Sequence, residues 1–224
     1  PKMETLARDD LARLQANRLR SVVERAWTHS PFHRRMLDEA GVTPDAIQSL
    51  DDLQRIPFTT RDAWMACQEE KPPYGDMLTR PEATAIRYHT TSGTSGRTPL
   101  RVLDGRLDWK WIAECWCYAF HGFGVRPEDR VFFAFSYGTF IGFWGAHYGT
   151  EKMGCLVLPS GNMTTTQRVQ LIHEMGATVV CATPTYALRL AQEAVNLGID
   201  LPSGPVARLI LSGEPAGSIP ATKK

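Results

Sequence analysis

The sequence has no surplus of charge of either sign, and this excludes two classes of partner. Lysine and arginine total 25 and aspartate and glutamate total 24, so the net charge of the 224 residues is +1. A chain without a basic surplus lacks the attraction with which proteins bind a phosphate backbone or an anionic lipid surface. We therefore expect neither nucleic acid nor a membrane as a partner.

Paired cysteines and an export signal are also missing. The five cysteines are odd in number, and no two of them stand at Cys-x-x-Cys spacing. Residues 1–10 carry charges where a secretory signal needs an apolar run. Free, mostly buried thiols in a cytoplasmic protein fit this pattern best. His29 and His33 are separated by Pro31, which spoils a shared helical face, so we expect no protein metal site.

One long run lacks charge: residues 131–150 contain no Asp, Glu, Lys or Arg, and the run is about as long as a membrane-spanning helix. Glycine and polar residues interrupt it from Ser136 onward. A strand that leads into a glycine-rich turn and a helix explains the run better than a membrane span.

What is present is a helical segment followed by an α/β pattern. Residues 1–84 are predicted to form a helical N-terminal segment that packs on the core, and residues 85–224 an α/β subdomain with a mainly parallel sheet and crossover helices. The predicted strands are 85–90, 130–135, 155–158, 178–182 and 208–211. The predicted helices between them are 107–120, 141–153, 165–175 and 186–197.

Capping residues predict where the helices begin and end. Ser30-Pro31 is expected to end the first helix, which starts near Asp9. Asp104 is expected to cap the helix from residue 107, and Gly122 to stop it. Further helix starts are predicted at Thr43–Asp45, Ser49–Asp52, and Thr59 or Thr60.

In a parallel α/β sheet, ligands bind at the carboxyl ends of the strands, so the loops there are the candidates for a functional site. The first such loop, residues 90–99, combines two glycines with several hydroxyls and one arginine. This composition suits a polyphosphate, because backbone amides and hydroxyls can surround it closely. It is not a Walker loop, since no Gly-Lys-Ser/Thr follows. From composition alone, an ordinary Ser/Gly surface turn explains it equally well.

The segment Ser92–Pro99 (SGTSGRTP) resembles the phosphate loop of the acyl-adenylate-forming enzymes. Other segments, in their order along the chain, resemble those of the phenylacetate–coenzyme A ligase family. These segments are SPFHR at 30–34, IPFTTR at 56–61, SYGTF at 136–140, GAHYG at 145–149, TPTYA at 183–187 and SGEP at 212–215. The resemblance implies the incomplete N-terminal domain of an adenylate-forming enzyme.

The resemblance implies a two-step ligase of aromatic acid catabolism. An aryl carboxylate attacks the α-phosphate of ATP, releasing pyrophosphate, and the thiol of coenzyme A then displaces AMP; Mg²⁺ bridges the phosphate oxygens. Arg97 stands where the family usually has lysine, which keeps the charge but changes its geometry. The residues implied to hold ATP phosphates are Thr91, Ser92, Gly93, Thr94, Ser95, Gly96, Arg97 and Thr98, with Thr94 and Arg97 in support of catalysis.

Two other loops receive roles through the same resemblance. Gly213, Glu214 and Pro215 would lie against adenine, and Gly213 would also line the acid pocket. Tyr137, Phe140 and Ile141 would form the wall of an aryl pocket. Without the resemblance, residues 213–215 would be read as a routine turn. For Tyr137, Phe140 and Ile141, packing in an aromatic core stays open as the alternative.

Three features beside these loops have plain structural interpretations. His147 is favoured as a buried, hydrogen-bonded structural histidine over a substrate contact, and Glu151 is predicted to be a solvated helix residue. The glycines at 138, 142, 145 and 149 could equally be small residues at a close helix contact.

The chain stops just after the Gly-Glu-Pro segment, where family members continue for about as long again. We therefore expect half of the active site to be missing and the chain alone to be inactive. An open sheet edge is expected to lead to a homodimer or to association with the missing C-terminal half. Two alternatives stay open: a non-catalytic nucleotide- or acyl-binding fragment, and an enzyme that loads a carrier-protein thiol.

Overall fold

The computed structural model describes residues 2–91 and 98–215. The chain divides into two compact units, Pro1–Leu103 and Asp104–Lys224. The boundary after residue 84 that the sequence suggested stays a prediction. Among the described residues, no helix combines the length and the apolar character that crossing a membrane requires.

The first unit is mainly helical. Helices α1 (Arg8–His29), α2 (Pro31–Glu39) and α3 (Arg61–Glu70) are followed by strand β1 (Ala85–Thr90), which pairs with β2 (Arg101–Gly105) in a two-stranded sheet. Two small apolar clusters hold the helices together. One is formed by Val23, Leu37, Val42 and Ile47, and the other by Phe32, Cys67 and Met77.

Ser30 ends one helix and begins the next. Its amide donates to the Ala26 carbonyl at 3.0 Å, which closes α1. Its side-chain oxygen accepts from the His33 amide at 3.3 Å, and Pro31 takes the first position of α2, where no amide donor is needed. The predicted end of the first helix is confirmed, but α2 itself was not predicted.

The other predicted helix starts in this unit had mixed outcomes. Thr60 caps α3 as predicted, with its hydroxyl oxygen accepting from the Ala63 amide at 3.2 Å. Short helical elements also begin near Thr43 and Ser49 as predicted, but both are 3₁₀ turns rather than α-helices, at Pro44–Ala46 and Asp51–Arg55.

Asp76 is the main polar connection in the first unit. Its carboxylate accepts two hydrogen bonds from Arg35, at 2.9 and 3.1 Å, and one from Lys71 at 2.6 Å. The Cys67 thiol donates to the same carboxylate at 3.2 Å. The Arg35 guanidinium, followed by Lys71, holds the pKa of Asp76 well below its usual range.

The second unit is a parallel sheet covered by helices. Its elements are α4 (Arg106–Gly122), β3 (Arg130–Phe133), α5 (Ile141–Met153), β4 (Leu156–Pro159), α6 (Thr165–Glu174), β5 (Val179–Ala182), α7 (Pro184–Asn196) and β6 (Arg208–Leu211). The strand order is β4-β3-β5-β6, and every pair is parallel. This confirms the predicted α/β class with crossover helices.

The alternation of side chains along β3 builds two cores. Phe132 faces α6 and α7 and joins a cluster with Val169, Ile172 and Leu190. Val131 and Phe133 face the opposite side, where α4 and α5 supply residues such as Phe120. Burial of both faces explains why the sequence shows an unbroken apolar run here.

From residue 85 onward, the predicted strands and helices agree with the structure to within a few residues, apart from one missed strand and one wrong cap. Strand β2 was missed because its sequence, RVLDG, lacks a clear alternation. The prediction of Asp104 as N-cap of α4 was wrong: Asp104 is buried in β2, and the amide of Gly105 donates to Asp108 Oδ2 at 2.8 Å instead. The predicted stop at Gly122 is two residues early: Gly122 is still helical, Phe123 is the C-cap, and the glycine with a positive φ (+80°) is Gly124.

Glycines allow α4 and α5 to pack closely. A Cβ atom at Gly149 would lie 2.5 Å from the Cβ of Trp116, and one at Gly145 would lie 2.6 Å from the Trp116 indole nitrogen. The interpretation of small residues at a helix contact is therefore confirmed for these two glycines. Gly138 faces open space, and Gly142 lies against the Phe140 ring.

Replacing Gly149 by alanine should destabilise the second unit. The added methyl group must displace Trp116, and overpacking of this kind costs about 1–3 kcal/mol. Gly122→Ala is the matched control, because a methyl group there would meet nothing within 4 Å and alanine favours a helix by up to about 1 kcal/mol. Urea unfolding should show a lower midpoint for Gly149→Ala and an equal or higher one for Gly122→Ala; equal loss in both would contradict the close contact.

The Asp76 carboxylate should make the first unit sensitive to acid. Its pKa is lowered from 3.8 in the folded chain, so its contribution is present above that value and is lost as the pH falls further. Asp76→Asn should cost about 1–3 kcal/mol at neutral pH and flatten the decline in unfolding free energy between about pH 5 and about pH 2. Asp38→Asn, whose pair with Arg34 is exposed, should leave that decline unchanged.

Candidate functional site

The ends of the predicted phosphate loop lie in the first unit, and six of its residues lie outside the described residues. These six are Ser92, Gly93, Thr94, Ser95, Gly96 and Arg97. Thr91 and Thr98 flank them. The Thr91 amide donates to the Leu100 carbonyl at 3.1 Å, and the Leu100 amide donates to the Thr91 hydroxyl at 3.0 Å. The two chain segments that enter and leave the loop are therefore joined at its base.

Arg61 reinforces the same base, although no role for it was predicted from the sequence. Its guanidinium donates to the Thr91 hydroxyl at 3.4 Å and to the Thr98 carbonyl at 3.1 Å. Arg61 is the first residue of α3, whose start is fixed by the Thr60 cap. Its place at the end of the IPFTTR segment was the available signal, but only the fold brings it to Thr91.

In the second unit, the carboxyl ends of the four strands lie at one edge of the sheet, because all pairs are parallel. Local hydrogen bonds tie the loops to this edge. The Ser160 hydroxyl, after β4, donates to the Phe133 carbonyl at 2.6 Å. The Ser212 amide, after β6, donates to the Ala182 carbonyl at 3.2 Å.

The Gly213–Pro215 segment is held at the start of α7. Gly213 has a φ of +94°, which favours glycine, and its Cβ position would meet Thr183 only at an ordinary 3.5 Å. Both carboxylate oxygens of Glu214 are engaged by Thr185: the amide donates at 3.1 Å and the hydroxyl at 2.9 Å. A carboxylate at a helix N-terminus also interacts favourably with the helix dipole. The role of the segment at adenine stays a prediction.

Tyr137, Phe140 and Ile141 lie together in the loop between β3 and α5. The Tyr137 ring is half-buried and lies 4.8 Å from the Trp144 ring. Phe140 is 42% exposed and meets Phe143 edge-to-face at 5.8 Å, while Ile141 is the first residue of α5. The Trp144 indole donates to the Gly138 carbonyl at 2.7 Å and so fixes the loop to the helix. The loop thus presents several aromatic faces at the sheet edge.

His147 connects this loop to the next turn of α5. Its Nδ1 lies 2.9 Å from the Tyr137 hydroxyl, and its Nε2 lies 3.0 Å from Glu151 Oε1. Burial raises the pKa of the Tyr137 hydroxyl. The hydrogen bonds agree with the structural interpretation of His147. The prediction that Glu151 is only a solvated helix residue was wrong, because its half-exposed side chain contacts His147. The spacing of four residues between the two was the sequence signal that this prediction missed.

A metal centre built by the protein is not found in residues 2–91 and 98–215, where no group of three His, Cys, Asp or Glu side chains is arranged to hold an ion.

An apolar cavity lies elsewhere in the second unit. It measures about 590 Å³ beside α7 and β6 and is lined by side chains such as Leu190, Ala194 and Val206. Of the predicted site residues that the structure describes, none lines it.

The Arg61 contacts predict a specific change in amide protection. Arg61→Gln removes the guanidinium that donates to Thr91 and Thr98 on the two sides of the loop base. The Thr91 and Leu100 amides should therefore exchange about tenfold faster, which equals a loss of about 1.4 kcal/mol in the free energy of local opening. Arg55→Gln, an exposed arginine of the same unit that contacts Asp52, is the matched control. Hydrogen–deuterium exchange followed by NMR measures both; unchanged exchange in Arg61→Gln would show that the contact does not hold the loop.

Comparison with known proteins agrees with the resemblance read from the motifs. No protein-family profile matches the chain. It is 35% identical over 215 residues to phenylacetate-coenzyme A ligase of Thermus thermophilus, which covers 96% of this chain and 47% of that protein. The enzyme of the same name from Escherichia coli K12 is 34% identical, with 85% of this chain and 42% of that protein covered. The chain thus spans about half the length of the curated relatives it matches.

Solved structures give the same result for the fold. A 2-hydroxyisobutyryl-CoA ligase in an open conformation, in complex with 2-HIB-AMP and CoA, matches 100% of this chain and 52% of its own, with a TM-score of 0.90 and 32% identity. The same ligase in the thioesterification state has a TM-score of 0.90 and 33% identity over 47% of its length. The fold is that of the N-terminal part of this adenylate-forming enzyme, and by sequence the chain belongs to the phenylacetate–coenzyme A ligase family as an N-terminal portion.

Proposed function

We propose that this chain is part of an AMP-forming ligase that activates a carboxylic acid with ATP and transfers the acyl group to coenzyme A. One observation carries the proposal: all of this chain matches, at a TM-score of 0.90, a ligase whose structure holds an acyl-adenylate and CoA. The sequence relatives, named phenylacetate-coenzyme A ligase, support the same reaction type.

The chemistry has two steps. A carboxylate oxygen attacks the α-phosphorus of ATP, and the bond to the leaving pyrophosphate breaks. The thiol sulfur of coenzyme A then attacks the acyl carbon, its proton leaves, and AMP departs with the bonding electrons. In the proposal, residues 91–98 hold the leaving phosphates, and their amides and hydroxyls would stabilise the charge that develops. Residues 213–215 contact the nucleotide base.

We assign the acid to the loop that carries Tyr137, Phe140 and Ile141. Its aromatic faces suit a flat apolar ring, since aromatic pairs gain about 0.5–1.5 kcal/mol beyond area burial. This loop supports an aryl acid over a small aliphatic hydroxy acid such as the one in the matched structure. We also propose that the protein works in the reducing environment of the cytoplasm, as expected for a chain with five free cysteines.

The open side of β6 supports the expected association. Leu209 and Leu211 share one face of this strand and are 58% and 38% exposed. Leu209 also lines the apolar cavity beside α7. Either a second copy of the chain or the additional half that the relatives possess would cover this surface.

The decisive experiment is pyrophosphate release by the protein that the complete reading frame encodes. A panel of aryl acids should each be tested with ATP and Mg²⁺, and release should depend on the acid. The product should then require coenzyme A; a requirement for a carrier protein would instead support the thiol-loading alternative. Silence with every acid would favour a non-catalytic binding fragment.

The assay also tests the phosphate loop. Thr94→Ala should reduce kcat/KM for ATP by more than about tenfold, because each lost decade equals about 1.4 kcal/mol of transition-state stabilisation. Ser203→Ala, an exposed serine of the turn before β6, is the matched control and should leave the value unchanged. Wild-type kinetics in Thr94→Ala would remove the loop from the proposed site.

A further inference from the structure

Three side chains, Tyr137, His147 and Glu151, are joined by hydrogen bonds. Tyr137 lies in the loop that we assign to the acid, but the proposed reaction gives no role to His147 or Glu151. Tyr137 contacts His147 Nδ1 at 2.9 Å, and His147 Nε2 contacts Glu151 at 3.0 Å. His147 is 14% exposed and Glu151 is 49% exposed. The order of the contacts runs from the solvent side of α5 into the aromatic loop.

The chemistry of Glu151 fixes the direction of both hydrogen bonds. An ionised carboxylate accepts only, so His147 Nε2 must carry the hydrogen of that contact. In the neutral imidazole, Nδ1 is then an acceptor, and the Tyr137 hydroxyl donates its hydrogen to it. Among the described residues, His147 is the one hydrogen-bond partner of that hydroxyl. Its oxygen therefore keeps its lone pairs available but has no hydrogen left to donate.

The surroundings make this acceptor selective. The imidazole lies 5.9 Å from the Phe133 ring, and the Tyr137 ring packs against Trp144. Such apolar neighbours cannot replace a missing hydrogen bond. A site of this kind discriminates against a ligand that leaves its polar group unpaired.

We propose that His147 and Glu151 are positioning residues that hold the Tyr137 oxygen as a hydrogen-bond acceptor, so that the site favours acids carrying a hydroxyl or amino donor. The inference rests on the proposed function, because it takes Tyr137 as part of the acid pocket. It adds the chemical class of substituent that the pocket selects. His147 and Glu151 contact no reacting atom and act only through Tyr137.

NMR of the whole protein, labelled with ¹⁵N at histidine, tests the hydrogen-bond order without any turnover. The His147 signal, assigned by its loss in His147→Gln, should show the Nε2–H tautomer. Glu151→Ala should give a mixture of tautomers, and Glu151→Gln should restore one, because its amide oxygen still accepts. Glu174→Ala, an exposed glutamate of α6, should change nothing. A wild-type Nδ1–H tautomer or an imidazolium would overturn the inference.

Substrate preference gives the second readout. Hydroxyphenylacetates should exceed the matching fluorophenylacetates in kcat/KM by about fivefold, the size of one neutral hydrogen bond, since fluorine has a similar size but cannot donate. Tyr137→Phe and Glu151→Ala should bring this ratio to about one with KM for ATP unchanged, and Glu151→Gln should largely restore it. If Glu151→Ala still turns over the acids with the wild-type ratio of kcat/KM for hydroxyphenylacetates to that for fluorophenylacetates, this inference is wrong and the proposed function stands. No turnover with any acid overturns the proposed function and this inference together.

Discussion

Burial of strand β3 on both faces is the constraint on which the rest of the second unit depends. Val131, Phe132 and Phe133 are each 0% exposed, so their alternating side chains must be covered by helices on both sides. Parallel strands joined by crossover helices meet this demand, because the helices of the connections cover both faces of the sheet. The same connection brings every strand to an end at one edge. Within the second unit, the loops that carry Tyr137 and Gly213 therefore lie at the same edge of the sheet as a consequence of core packing.

The close packing of α4 against α5 accompanies the contacts between α5 and the aromatic loop that precedes it. Gly145 and Gly149 leave room for Trp116 of α4, so α4 and α5 pack closely together. His147, between these glycines in the sequence, reaches Tyr137, and Trp144 reaches Gly138. The spacing of small and aromatic residues along one helix thus sets both the packing and the position of the candidate acid pocket.

The sequence predicted what depends on local pattern and failed where tertiary contacts decide. Strand β6 and helix α5 have the predicted bounds, since apolar periodicity and flanking glycine mark them. Strand β2 could not be recognised, because its short mixed sequence becomes a strand only when β1 lies beside it. The role of Arg61 depends on a neighbour 30 residues away, and no spacing rule connects it to Thr91. Glu151 was the avoidable omission, because its four-residue distance from His147 is visible in the sequence.

The position of Glu214 limits how its loop can meet a ligand. Because Thr185 engages both carboxylate oxygens, the side chain completes the start of α7 and is directed away from any further partner of equal strength. What the segment can offer is the backbone at Gly213, whose φ of +94° exposes peptide groups without a side chain, and the ring of Pro215. A flat base packs well against such a surface, and its recognition needs no charge from the protein. The Gly-Glu-Pro sequence then has two parts: the glutamate fixes the turn to the helix, and its neighbours are the residues that we propose to contact the nucleotide.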